Sequence, residues 1–125
     1  PTIEHESSAT AAIDAHDGLG QPASLFAMQL AIRKAASSGV GMVTVKNSNH
    51  FGIAAFYSML ALERNFIGVC LTNANPLVIP TFGRDLIFGT NPISIAAPAK
   101  KEKPFVLDMA TSTVPRGKLE VFHRK

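Results

Sequence analysis

The sequence has 125 residues, one cysteine, a formal charge of +3 and a hydrophobic share of 46 %. That much apolar side chain suits one folded domain of ordinary size and excludes a disordered chain. The lone Cys70 excludes an intrachain disulfide and a cysteine-built zinc site, and the basic residues are scattered without interleaved aromatic platforms, which speaks against nucleic-acid binding.

Residues 1–8 carry Glu4 and Glu6 and no apolar stretch, so no signal peptide is expected there. Residues 9–15 read as a short strand that ends at the turn-like His16-Asp17-Gly18. Pro22 suits the first position of a helix, along which Leu25, Met28, Ile32 and Ala35 repeat at helical spacing. Arg33 and Lys34 then favour the helix dipole near its end, and Gly39 supplies the left-handed stop. Residues 40–46 form an apolar, β-branched strand. The polar loop Asn47-Ser48-Asn49-His50 follows, then a second helix with Ile53, Phe56, Tyr57 and Leu60 on one face and Asn65 at its end.

Residues 66–72 read as a second buried strand, with Cys70 an inert thiol inside it. No run approaches the ~18 apolar residues of a membrane span, and a reducing, cytoplasmic setting is the expectation. Strand, helix and strand with short joints predict a βαβ unit, with 40–46 and 66–72 parallel neighbours. Residues 47–52 and 72–75 would then share the carboxyl edge of the sheet, where open α/β sheets bind ligands. Pro76, Pro80, Gly83 and Gly89 punctuate irregular structure. Ile93, Ile95 and Ala97 alternate along a strand, 100–104 is a turn, and 105–109 is a strand antiparallel to the preceding one. A last helix over 112–125 would be capped by Thr111 or Ser112, with Pro115 and Gly117 weakening it. The expected class is α/β with a mixed sheet.

Three polar loops carry candidate chemistry. The three-glycine dinucleotide fingerprint and a Walker-type loop are both absent. His50 stands where a helix begins, and the backbone N–H groups of residues 51–54 are open to an anion. The imidazole there donates to a carbonyl oxygen or a phosphate, or else belongs to a helix-capping loop with Asn49 as the cap. Gly89-Thr90-Asn91-Pro92 fixes two hydrogen-bonding side chains for a polar ligand, or is an ordinary turn. Asp108 ends an apolar strand, where it accepts from ribose hydroxyls or anchors backbone N–H groups. His5, His16 and His123 have no partner at metal-ligand spacing, so no metal site is expected, and His16 beside Asp14 and Asp17 reads as an exposed turn.

Four strings in order, Asp17-Gly18-Leu19-Gly20-Gln21, Asn47-Ser48-Asn49-His50-Phe51-Gly52, Gly89-Thr90-Asn91-Pro92-Ile93 and Phe105-Val106-Leu107-Asp108-Met109-Ala110-Thr111-Ser112 with Gly117-Lys118, span the chain. Together they resemble the malate/L-lactate dehydrogenase type 2 family, which includes ureidoglycolate, sulfolactate and diketogulonate enzymes and cyclic ketimine reductases. The resemblance implies a non-Rossmann nicotinamide-binding fold with a mixed, largely antiparallel sheet and flanking helices, and a homodimer. It implies that residues 1–125 are a partial NAD(P)-binding domain of a longer dehydrogenase, one that moves hydride between NAD or NADP and a small 2-hydroxy/2-oxo acid, malate or lactate foremost. By the same likeness His50, Phe51, Gly52, Ile53 and Ala54 line the cofactor site, with His50 catalytic in some members. Asp108, Met109 and Ala110 match a second cofactor segment, Thr90 a substrate contact, and Ala74 a position where one branch carries a cofactor-contacting serine. The family's Ser-His-Gly motif and the substrate-binding arginine that follows it are not found in this sequence. An enzyme acting on ureidoglycolate or a cyclic imine, and a non-catalytic truncated paralogue, are the alternatives.

Overall fold

The computed structural model describes residues 1–114 and 116–124. Two three-stranded sheets form, each backed by a helix. In the first, β1 (Thr2–Glu6) pairs antiparallel with β2 (Thr10–Gly18), and β2 pairs parallel with β3 (Met42–Ser48). Helix α1 (Gly20–Ser38) makes the crossover between β2 and β3. Alternation along β2 puts Ala11 and Ile13 on one face, where they pack on Ala27 and Leu30 of α1, with Phe26, Val43 and Val45 closing the cluster. Gly39 stops the helix at φ 79°, and its N–H bonds the Ala35 carbonyl.

In the second sheet, α2 (Ala54–Leu60) runs into a 3-10 turn over Ala61–Arg64, and Asn65 ends it in the left-handed region. Strands β4 (Gly68–Leu71), β5 (Ile93–Ala97) and β6 (Phe105–Met109) follow, both pairs antiparallel. Among the described residues, three of the four strand pairs are thus antiparallel and one is parallel, a mixed and largely antiparallel arrangement. Under α2 a buried hydroxyl pair joins helix to sheet: Ser94 accepts from Ser58 (2.7 Å) and donates to the Leu107 carbonyl (2.8 Å). Helix α3 (Arg116–His123) closes the chain.

Several expectations are corrected. β3 and β4 lie in different sheets and are not parallel neighbours; the parallel partner of β3 is β2. The crossover that carries the parallel pair is α1, between β2 and β3, and His16-Asp17-Gly18 is not a turn that ends the strand but an irregularity within it, with His16 and Asp17 both at positive φ. β1, polar except for Ile3, is a strand because it completes the pairing of β2 and is tied down by Lys34. That lysine does not serve the helix dipole. It is only 7 % exposed and donates to Glu6 (2.8 Å) and to the Ser7 carbonyl (2.6 Å). Pro22 stands third in α1, after Gly20 and Gln21, still within the turn whose N–H groups have no helical partner. The last helix begins at Arg116 rather than 112, and neither proposed cap serves it: Thr111 donates to the Thr90 carbonyl and Ser112 to the Val114 carbonyl. Pro115 and Lys125 lie outside the described residues.

Candidate functional site

The site starts at the far end of β2. Asp14, almost fully buried, accepts from the His16 backbone N–H (2.7 Å) and from Asn47 Nδ2 (3.0 Å). The His16 N–H, the Asn47 amide and the nearby His16 and Lys46 hold its carboxyl below the usual carboxylate range, and burial opposes them in part. Lys46 is itself ion-paired to Glu4 (2.9 Å), which raises its pKa. His16 is exposed, as expected, and hydrogen-bonds Thr2 (2.8 Å).

Asp17 and Gly18 offer their carbonyls to Asn49 Nδ2 at 2.7 and 3.0 Å. Asn49 is therefore not the helix cap. Ile53 holds that position and makes no side-chain capping bond. The first turn of α1 presses on the same loop: a Cβ on Gly20 would run into the Asn49 and His50 carbonyl oxygens. Gly20 of the first string thus serves a close approach of two backbones. His50 is exposed, and its Nδ1 accepts the Gly52 N–H (3.2 Å). A backbone N–H can only donate, so the neutral ring carries its proton on Nε2. Nε2 has no protein partner among the described residues. On the other side, the Tyr57 hydroxyl donates to the Phe51 carbonyl, and the two rings stand 5.1 Å apart. Burial raises the Tyr57 pKa. Gln21, Phe51, Ile53, Phe56 and Tyr57 line an open apolar cleft of about 330 Å³, with Ile53 70 % exposed on its rim.

Asp108 reaches this helix from β6 and accepts the Ala55 N–H through Oδ2 (2.9 Å). Of the N–H groups of residues 51–54, that of Gly52 is taken by His50, and the chain's own carboxylate takes the N–H of Ala55, one residue beyond them in α2, which begins at Ala54. The backbone anchor read for Asp108 is thus made through Oδ2, one of its two carboxylate oxygens.

A second cluster forms around Gly89-Thr90-Asn91-Pro92. The Thr90 carbonyl accepts the Thr111 N–H (2.8 Å) and hydroxyl (3.0 Å), and Asn91 Oδ1 accepts the Ala74 N–H (3.0 Å). The Thr90 hydroxyl has no protein partner among the described residues. Residues 89–92 therefore meet both 72–75 and 108–111, and Asp108 bonds Ala55 of the helix that follows 47–52. Three residues of chain, about 10 Å, separate Asp108 from Thr111. Met109 is exposed and Ala110 half-buried along this path. The sequence reading missed Asp14, Asn49 as a clamp, and Tyr57; a lone carboxylate inside the apolar run 11–15 was the available signal for the first.

Among the described residues, no group of three His, Cys, Asp or Glu side chains is placed to hold a metal, and no helix is long and apolar enough to cross a membrane. A profile of the malate/L-lactate dehydrogenase family matches residues 1–125. The chain belongs to that family. Its sequence is 54 % identical over 123 residues to the malate dehydrogenase of Pyrococcus horikoshii, a match covering 98 % of this chain and 34 % of that protein. The solved structure of that dehydrogenase superposes with a TM-score of 0.90 at 52 % identity, over 95 % of this chain and 34 % of the other. The L-sulfolactate dehydrogenase of Methanocaldococcus jannaschii is 51 % identical over 124 residues, 98 % of this chain and 36 % of that protein, and its structure gives a TM-score of 0.92 over 98 % and 36 %. More distant family members are named ureidoglycolate dehydrogenase (Escherichia coli, 31 % identical) and Δ1-pyrroline-2-carboxylate/Δ1-piperideine-2-carboxylate reductase (Pseudomonas syringae, 34 %). The chain thus spans about a third of the length of the curated relatives it matches.

Proposed function

We propose that these residues form part of the NAD(P)-binding domain of a dehydrogenase that transfers hydride between NAD or NADP and a small 2-hydroxy/2-oxo acid, malate or lactate foremost. The observation that carries the reading is the Ala55–Asp108 bond, which ties the fourth family string to the helix that opens just after the second, across 53 residues of sequence and beside an exposed, singly committed imidazole. The local chemistry fits a nicotinamide dinucleotide. An open apolar cleft formed by Phe51, Ile53 and Phe56 suits a planar ring, and polar main chain and a carboxylate at Asp108, Met109 and Ala110 suit ribose hydroxyls. Gly52, Ala54 and the Ala74 backbone complete the contacts; at Ala74 only main chain is available. When bound, the cofactor supplies or takes the hydride.

His50 presents Nε2–H to the substrate oxygen or to a cofactor phosphate, and Thr90 offers its hydroxyl to the acid. The same reading takes the enzyme to be a cytoplasmic homodimer: a reducing setting suits a free Cys70, and the exposed apolar side chains suit burial between subunits. A second reading, oxidation of ureidoglycolate or reduction of a cyclic imine, is favoured only by the names of the more distant relatives.

The test is titration of the full reading frame with NADH and NADPH by nicotinamide fluorescence, followed by addition of oxaloacetate, pyruvate or a cyclic imine acid. Binding and then oxidation by the first two supports the main reading and names the cofactor. Turnover of the imine alone supports the second, and no binding at all favours the non-catalytic paralogue. His50→Ala in the same protein is expected to lower turnover by about 10²; unchanged kinetics would leave His50 a loop residue.

A further inference from the structure

His50 itself is held by a single bond, yet both of its neighbours are locked. Asn49 is clamped through Nδ2 to two carbonyls of the β2 irregularity, and Phe51 is clamped through its carbonyl to Tyr57. The His50 carbonyl lies against Gly20, where no side chain would fit. The irregularity that receives Asn49 contains two residues at positive φ, His16 and Asp17. His and Asp adopt that conformation more readily than most non-glycine residues, but two in succession still need contacts that hold them there. Asp14 supplies them, binding the His16 N–H with one oxygen and Asn47 with the other, so that one buried carboxylate joins both strands beneath the loop. An asparagine amide is the side chain suited to position 49, because its two hydrogens meet two carbonyl oxygens at once.

We propose that Asn49, braced by Asp14 through residues 16–18, is the positioning residue of His50: it fixes the loop so that Nδ1 faces the Gly52 N–H and the ring offers Nε2–H outward. This rests on the reading of His50 as a group that touches substrate or cofactor. Loss of the clamp frees the 47–50 loop, so that the imidazole loses its fixed tautomer while the apolar cleft stays in place.

The experiment uses the full-length protein labelled with ¹⁵N-histidine, with the His50 signals assigned by their absence in His50→Ala. In the unmodified protein the ring nitrogens should report the Nε2–H tautomer. In Asn49→Ala they should move to the averaged values of a free imidazole, kcat should fall about 10-fold or more, and KM for the acid should change by less than about threefold. Asn49→Ser keeps one donor and should lie between the two, and it takes the place of the alanine variant if that one does not fold. A folded Asn49 variant that retains both the tautomer and kcat overturns the proposal. His50→Ala separates the two levels. If it cripples turnover while Asn49→Ala does not, the positioning role alone fails. If it leaves turnover intact, the reading of His50 fails, and the tautomer in Asn49→Ala still decides whether Asn49 holds the ring.

Discussion

Asp108 acts on two neighbours at once. Its carboxylate accepts the Ala55 N–H where α2 has no cap of its own, and its charge adds to the burial that pushes the Cys70 thiol up to about 11. Burial is the larger cause. At pH 8 so little of Cys70 is thiolate that alkylation by iodoacetamide should run about two orders of magnitude slower than for a free cysteine. Asp108→Asn removes the charge and leaves the burial, so alkylation should quicken by a small factor and stay far below the free rate. A variant that reacts like free cysteine would mean that charge, not burial, governs this thiol. The same substitution weakens the capping bond, and the denaturation midpoint should report a loss of about 1 kcal/mol.

At the scale of elements, the joint between β1, β2 and β3 depends on an ionised Asp14. Its pKa is lower in the folded state than in the unfolded one, so its contribution is present above the unfolded value and is lost as pH falls through the folded value. Stability measured by urea unfolding should therefore drop below about pH 4, and Asp14→Asn should flatten that acid limb while lowering stability at neutral pH. An acid limb unchanged in the variant would remove Asp14 from the joint. This joint is also where sequence legibility ran out. α1 was readable because periodic apolar positions and Gly39 are local signals, and β5–β6 because a short turn permits only antiparallel pairing. β1 was not, since its polar residues become a strand only by pairing with β2. The parallel pair was assigned to the wrong strands because strand, helix and strand follow one another both over 9–46 and over 40–72, and local spacing does not say which run closes into one sheet. At the site, each polar loop was legible as a string, but Asp14–Asn47 and Ala55–Asp108 join residues 33 and 53 positions apart, and such partners leave no periodic trace.

For the whole molecule, the balance between core and surface is unusual. Around α1 the buried apolar set is small and mostly alanine, Ala11, Ile13, Ala15, Ala23, Ala27 and Leu30, while Phe82 is wholly exposed, Phe122 is 83 % exposed and Leu19 73 %. Three-stranded sheets with one helix apiece are near the lower limit of independent stability. Large apolar side chains exposed in such numbers mark surfaces that meet other protein, in keeping with relatives about three times as long. The isolated 125-residue chain should therefore self-associate. Sedimentation velocity should show concentration-dependent oligomers, and a hydrophobic dye should bind the native state. Phe82→Ser and Phe122→Ser together should reduce both without changing the far-ultraviolet circular dichroism, because neither ring is part of a core. A monomer that binds no dye would mean that this small core and its exposed apolar surface suffice in water, and the case for a covering partner would fall with it.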